Sequence, residues 1–245
     1  MQAMNWLTIR GTDDVDWSSL NVRCLDTLLR NAPRMITLDI SNTMRVRESH
    51  VETFPVWLQR LNLARCLSHH DSDEAIVALG RLMNLKAVSL REASCGGAIP
   101  FHAWRDLRRI DLRGVDGIHI EEVAEALASA PYADRLEAAN LRLATGASGA
   151  WFEVLPQLTA LRELSFQIGS VDLDALIGVL GSCLLTKVDI WSTVFGFSAG
   201  FFFVCFFVRW FVAFFCDGGS LRKAGWEWDS IERKGRGRPC AWVLV

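Results

Sequence analysis

The chain has 245 residues, 51% of them apolar, with a formal net charge of −2 and seven cysteines. That length and apolar content can bury a substantial core, and the near-neutral charge argues against bulk electrostatic binding to nucleic acid. No signal-peptide pattern opens the sequence, where Met1-Gln2-Ala3-Met4 runs into a strand pattern with Asp13 and Asp14 close behind.

Along the chain one unit recurs, L-x-x-L-x-L. Its apolar triplets are Met4-Leu7-Ile9, Met35-Leu38-Ile40, Leu58-Leu61-Leu63, Leu85-Val88-Leu90, Leu107-Ile110-Leu112, Leu136-Ala139-Leu141, Leu161-Leu164-Phe166 and Leu185-Val188-Ile190. The starts are spaced 31, 23, 27, 22, 29, 25 and 24 residues apart. The last two members of each triplet lie two residues apart, so in a strand they point to one side. One unit cannot bury that side alone, whereas parallel strands stacked about 4.8 Å apart make a continuous core. Each buried Leu or Ile then contributes roughly 1.5–3 kcal/mol before entropy is subtracted. Counting the first triplet member as position one, position nine holds Thr12, Thr43, Cys66, Ala93, Val115, Ala144, Gly169 and Thr193. None is large or charged, as a bend out of the strand requires. Position eleven is irregular.

The connections predict helices. Ser19 to Leu29 is the first apolar, helix-like stretch. Asp71 and Glu74 stand three apart, as in a capping box, ahead of Ile76, Val77, Leu79 and Leu82. Ile120, Val123, Ala124 and Leu127 have helical spacing, and Pro131 predicts the stop. Leu173 to Leu180 repeats the scheme, with Gly181 as the stop. Gly96 to Asp106, with Pro100 inside it, has room for only a turn or two. Strands alternating with helices imply an α/β fold with a parallel sheet and the helices outside.

On these repeats, residues 4–193 resemble the leucine-rich-repeat proteins. The mixture of unit lengths is most similar to the intracellular, ribonuclease-inhibitor-like branch. The resemblance implies a horseshoe solenoid that binds a protein along its concave strands. It is specific for fold and poor for function, because one scaffold hosts many roles. No enzymatic activity and no cofactor are expected, since no nucleophile–base–acid set comes together in the repeat geometry. The cysteines are scattered, odd in number and without metal-ligand spacing, which favours a reducing, cytoplasmic setting with free thiols. Stable solenoids carry a polar cap on the first repeat. The first strand here begins at Met4, which predicts either a partner chain over that end or a longer parent sequence.

Three regions follow: a solenoid of about eight units over 1–193, an apolar segment over 194–216 and a basic tail over 217–245 without predicted order. Ten of the fourteen phenylalanines fall between Phe195 and Phe215, and Arg209 is the only charge from Val194 to Cys216. By hydropathy this run is a transmembrane candidate, since ten Phe at about 0.3–0.6 kcal/mol each outweigh one Arg at about 2.5–3.5 kcal/mol. The basic flank, with Arg222, Lys223, Arg233, Lys234, Arg236 and Arg238, argues for a cytosolic C-terminus, which conflicts with cytosolic repeats. An equal reading is that residues after Thr193 are translated from a retained intron or frameshift. A membrane-anchored repeat protein, and the substrate-recognition arm of a ubiquitin-ligase-type assembly, are therefore the alternative functions.

The candidate binding face comes from strand alternation. Position three holds Trp6, Thr37, Arg60, Ala87, Arg109, Ala138, Glu163 and Lys187. Position five is always short and polar: Thr8, Asp39, Asn62, Ser89, Asp111, Asn140, Ser165 and Asp189. Position seven holds Arg91, Arg113 and Arg142 in three successive units, which predicts a row of arginines. Such a row can grip carboxylates or phosphates in bidentate fashion. The expected partner is an acidic protein segment, and the opposing expectation is a solvated ion network with Asp111 worth little. Trp6 and Trp191 flank the face as interface anchors or cap-covered residues. Cys66, His69, His70, Asp71 and Asp73 could form a metal cluster, but Cys66 at a buried repeat position and acids at a helix start explain them better. Glu48 and His50 read as a loop, and His102 and Trp104 as packing.

Overall fold

The period that reads as alternation in the sequence becomes one column of side chains in space. A computed structural model describes residues 4–9, 22–43, 45–67, 72–95, 99–142, 153–168, 179–180 and 183–192. Within them lie eight strands: β1 (Trp6–Thr8), β2 (Thr37–Asp39), β3 (Arg60–Asn62), β4 (Ala87–Ser89), β5 (Arg109–Asp111), β6 (Ala138–Leu141), β7 (Glu163–Ile168) and β8 (Lys187–Ser192). They form one open sheet in sequence order, every neighbour parallel. Leu7, Leu38, Leu61, Val88, Ile110, Ala139, Leu164 and Val188 stand opposite one another in unbroken register. From Leu38 to Val188 this column is buried, and so are positions one and six from Met35 and Ile40 to Leu161 and Phe166. One continuous core runs from Leu25 to Val188. The architecture is a leucine-rich-repeat solenoid.

The backbone ladder extends beyond the short strands. At position six, Ile40, Leu63, Leu90 and Leu112 donate their N–H to the position-five carbonyl of the next unit at 2.8–3.1 Å. At position eight, Asn42, Arg65, Glu92 and Gly114 donate to the next position-seven carbonyl at 2.7–2.9 Å. These four residues are left-handed, with φ of 56°, 61°, 56° and 64°. The strand therefore ends by one left-handed residue per unit, a conformation natural for Asn and Gly and costly for Arg and Glu. Position nine then folds inward: Thr43, Cys66, Ala93 and Val115 are all buried. Thr43 Oγ1 and Cys66 Sγ both donate to the Ile40 carbonyl, at 2.6 and 3.0 Å.

The crossovers pack their apolar faces on the same core. In α1 (Val22–Arg30) Leu25 and Leu29 are buried one turn apart. In α3 (Ser72–Ala78) Ala75 and Ile76 are buried, with Asp73 and Glu74 in the first turn beside the positive end of the helix dipole. The expected Asp71 cap lies outside the described residues. In α4 (Ile120–Ser129) the four apolar positions read from the sequence are the buried ones. Ala130 is extended before Pro131, which ends that helix. Among the described residues of the Gly96–Asp106 connection there is one 3-10 turn, Phe101–Ala103. Glu48 and His50 are not in a loop: they form a one-turn helix, α2 (Glu48–Val51), with His50 and Val51 buried. His50 Nδ1 accepts the Arg47 N–H at 3.1 Å, which satisfies an otherwise orphaned donor at the helix start. Most of Leu173–Leu180, and all of 194–245, lie outside the described residues. Among the described residues no helix is long and apolar enough to cross a membrane.

Candidate functional site

Because positions four and six point into the core, positions three and five point the other way, and with position seven they line a shallow trough of about 590 Å³. Its walls and floor include Asp39, Arg60, Arg109, Asp111, Arg113, Arg142 and Asp189, seven of the eight residues singled out from the sequence. Arg91, the eighth, does not line it. The ladder sets it beside Arg113, whose carbonyl accepts the Glu92 N–H at 2.7 Å, and the next rung sets Arg113 beside Arg142. The row of arginines therefore exists. Trp6 occupies position three at the β1 end and is 67% exposed, with no cap over it among the described residues. The side chain of Trp191 lies outside them.

Position five has a local task that the sequence reading missed. Asp39 Oδ1 accepts the Ser41 N–H at 3.1 Å, Asn62 Oδ1 the Ala64 N–H at 3.1 Å, and Asp111 Oδ1 the Arg113 N–H at 3.2 Å. Each short polar side chain satisfies the N–H two residues on, where the strand runs out, as Asp and Asn do in turns. Ser165 instead donates to Asp189 Oδ2 at 3.1 Å, while Asp189 Oδ1 is buried without a partner among the described residues.

The arginines are partly answered by acids. Arg113 clasps Asp111 with two bonds, Nε–Oδ1 at 2.9 Å and Nη2–Oδ2 at 2.6 Å. That hydrogen bond, opposed by burial and aided by the charges of Asp111, Glu92 and Asp189, raises the Arg113 pKa above its ordinary value. Glu92, which the sequence reading overlooked, bridges Arg65 at 2.6 Å and Arg91 at 2.9 Å. Burial pushes its carboxyl upward, but the bonds and charges of Arg65 and Arg91 outweigh this and hold it below the usual carboxylate range. The signal was available in register: Arg65 and Glu92 occupy position eight of adjacent units and so are ladder neighbours. Arg109 reaches Glu163 at 3.6 Å past the short Ala138, and Lys187 reaches the same carboxylate at 4.0 Å. Arg60 has no acidic partner among the described residues.

Arg142 is the electrostatic weak point. Its Nε donates to Asn140 Oδ1 at a long 3.4 Å. Burial lowers its pKa first; Arg113 and Arg91 push the same way, against the attraction of Asp189 and Asp111. Across β3 to β6, five arginines at positions three and seven (60, 91, 109, 113 and 142) stand with two acids of the same units, Asp111 and Glu92, and are also met by Glu163 at Arg109 and by the charge of Asp189 at Arg113 and Arg142. The middle of the trough therefore carries excess positive charge, while Asp39, Glu163 and Asp189 sit toward its ends. Among the described residues no three His, Cys, Asp or Glu side chains converge as for a metal. His69, His70 and Asp71 of the candidate metal cluster lie outside them. Trp104 is fully buried, its indole N–H donating to the Leu79 carbonyl at 3.3 Å, and His102 is exposed.

No protein-family model and no curated protein matches the chain. Among solved structures it is similar to an internalin C2 from Listeria monocytogenes str. 4b F2365, with 15% identity and a TM-score of 0.44, over 66% of this chain and 74% of that one.

Proposed function

We propose that the chain is a non-enzymatic interaction scaffold that takes an acidic segment of a protein partner in its strand-lined trough. The observation that carries this reading is the crowding of Arg91, Arg113 and half-buried Arg142 on three adjacent units with fewer acids than arginines between them. An incoming carboxylate relieves that crowding and gains charge-assisted bonds on a sheet that is already rigid, so little ordering entropy opposes it. Such bonds contribute about 1.5–3 kcal/mol each where they are shielded from water. The intra-row acids limit the gain, because Asp111 already occupies two donors of Arg113. Arg60, with no acidic partner among the described residues, is therefore the group most able to take a partner carboxylate, with Asp39 and Asp189 marking the ends of the basic stretch. Unit lengths of 22 to 31 residues and helical crossovers support the ribonuclease-inhibitor-like, cytoplasmic branch.

The test is charge reversal of Arg91, Arg113 and Arg142 together, with circular dichroism to show the fold intact and affinity capture to compare bound proteins. Loss of an acidic partner from the captured set is expected. An unchanged set refutes the reading.

A further inference from the structure

The trough has a floor and a pitch, and both bear on what fits it. Its flanks are position three, in the strand, and position seven, in the turn that follows. The floor between them is position five, where no side chain from Asp39 to Asp189 is longer than Asn. An α-helix, about 10–12 Å across with its side chains, presents groups to both flanks at once. A single extended chain is thinner.

The spacing along the trough selects the same shape. Arg91, Arg113 and Arg142 recur once per strand, so three of them span about 9.6 Å. Two turns of helix rise about 10.8 Å. Three side chains on one face of an extended strand span about 13 Å. The mismatch is about 1 Å for the helix and over 3 Å for the strand, so the helix follows the pitch of the arginines more closely. A polyproline-type chain returns to one face every 9.3 Å or so and meets only every second arginine.

We infer that the occupant is an acidic α-helix lying across the strands, with a carboxylate on each turn facing Arg91, Arg113 and Arg142 and a second acidic edge facing Arg60 and Arg109. This rests on the acidic-partner reading and adds the shape of the partner to it. The helix axis runs perpendicular to the strands, so each unit meets one turn.

Two fluorescein-labelled peptides of equal length and charge test it by fluorescence anisotropy against the full chain. One is hydrocarbon-stapled into a helix with Glu on successive turns; the other is unstapled with Glu at alternate residues. The helical peptide is expected to bind at least about tenfold more tightly, a difference of about 1.4 kcal/mol. Arg142→Glu on one flank and Arg109→Glu on the other are each expected to weaken it severalfold; Arg142→Gln keeps the first test open if reversal disturbs folding. Equal affinities, tighter binding of the alternating peptide, or indifference to Arg109→Glu overturn the helical occupant while leaving the acidic-segment reading in place. Failure of both peptides to bind overturns the two together.

Discussion

Ile110 is the central residue of the position-four column. It is 3% exposed, with Val88 beside it on β4 and Ala139 on β6. Ile110→Ala removes three carbon atoms from the shared interior. The lost transfer free energy is about 2.4 kcal/mol at about 0.8 kcal/mol per methylene. A cavity term adds to it, and here it is large, since Ala139 is already small and the short strand ladder on both sides prevents collapse. The total is about 3–4 kcal/mol, within the range for large-to-small core changes. Urea unfolding of the full chain followed by far-ultraviolet circular dichroism measures it, with a lower midpoint and an unchanged slope as the expected signature. A loss below about 1 kcal/mol refutes the reasoning, because a partly solvated or separately packed Ile gives that value.

Three further outcomes are expected. Gly114→Ala places a Cβ on a residue with φ of +64°, 3.1 Å from Glu92 Cγ, and is expected to cost about 1 kcal/mol in the same unfolding assay; it also loosens the Arg65–Glu92–Arg91 bridge. Tyr132 is fully buried with no partner for its hydroxyl among the described residues, and burial holds its phenol well above the usual pKa. Tyr132→Phe removes an unsatisfied polar group and is expected to leave stability unchanged or raise it by up to about 1 kcal/mol. A loss above that shows an unseen partner. His50 is held below its ordinary pKa of about 6.5 by burial and then by the charge of Arg47, against a smaller raising effect of the Arg47 backbone. The unfolded chain therefore takes up the proton first, so stability is full above about pH 6.5 and falls as pH drops below it. The melting temperature is expected to decline over that window, and His50→Gln is expected to flatten the His50 part of the decline.

The fold was legible because its determinant is local and repeated. The triplets name the buried side of the strands from β2 to β7, and the register that follows aligns Leu7 through Val188 without any long-range information. Position nine was readable for the same reason, since Thr43, Cys66, Ala93 and Val115 share one steric constraint. What escaped are features set by satisfaction rather than by burial. Asp39, Asn62 and Asp111 read as short polar residues of the binding face, yet they accept backbone N–H groups where the strands end. The left-handed turn at position eight was half visible, in Asn42 and Gly114, but Arg65 and Glu92 conceal it because neither prefers that conformation. The helix at Glu48–Val51 is too short for a period and depends on one hydrogen bond to His50. The arginine row was readable from spacing, whereas its partial neutralisation by Glu92 required knowing which residues the ladder sets side by side.

Amide hydrogen exchange of the full chain tests most directly that the units stack in one parallel register running past their strands. Ile40, Leu63, Leu90 and Leu112 at position six, and Asn42, Arg65, Glu92 and Gly114 at position eight, all donate across the unit boundary. Their amides are expected to be protected as one set, to within a few-fold of one another. Protection at position six with free exchange at Arg65 and Glu92 contradicts the stacked ladder, and with it the arginine row that the ladder assembles.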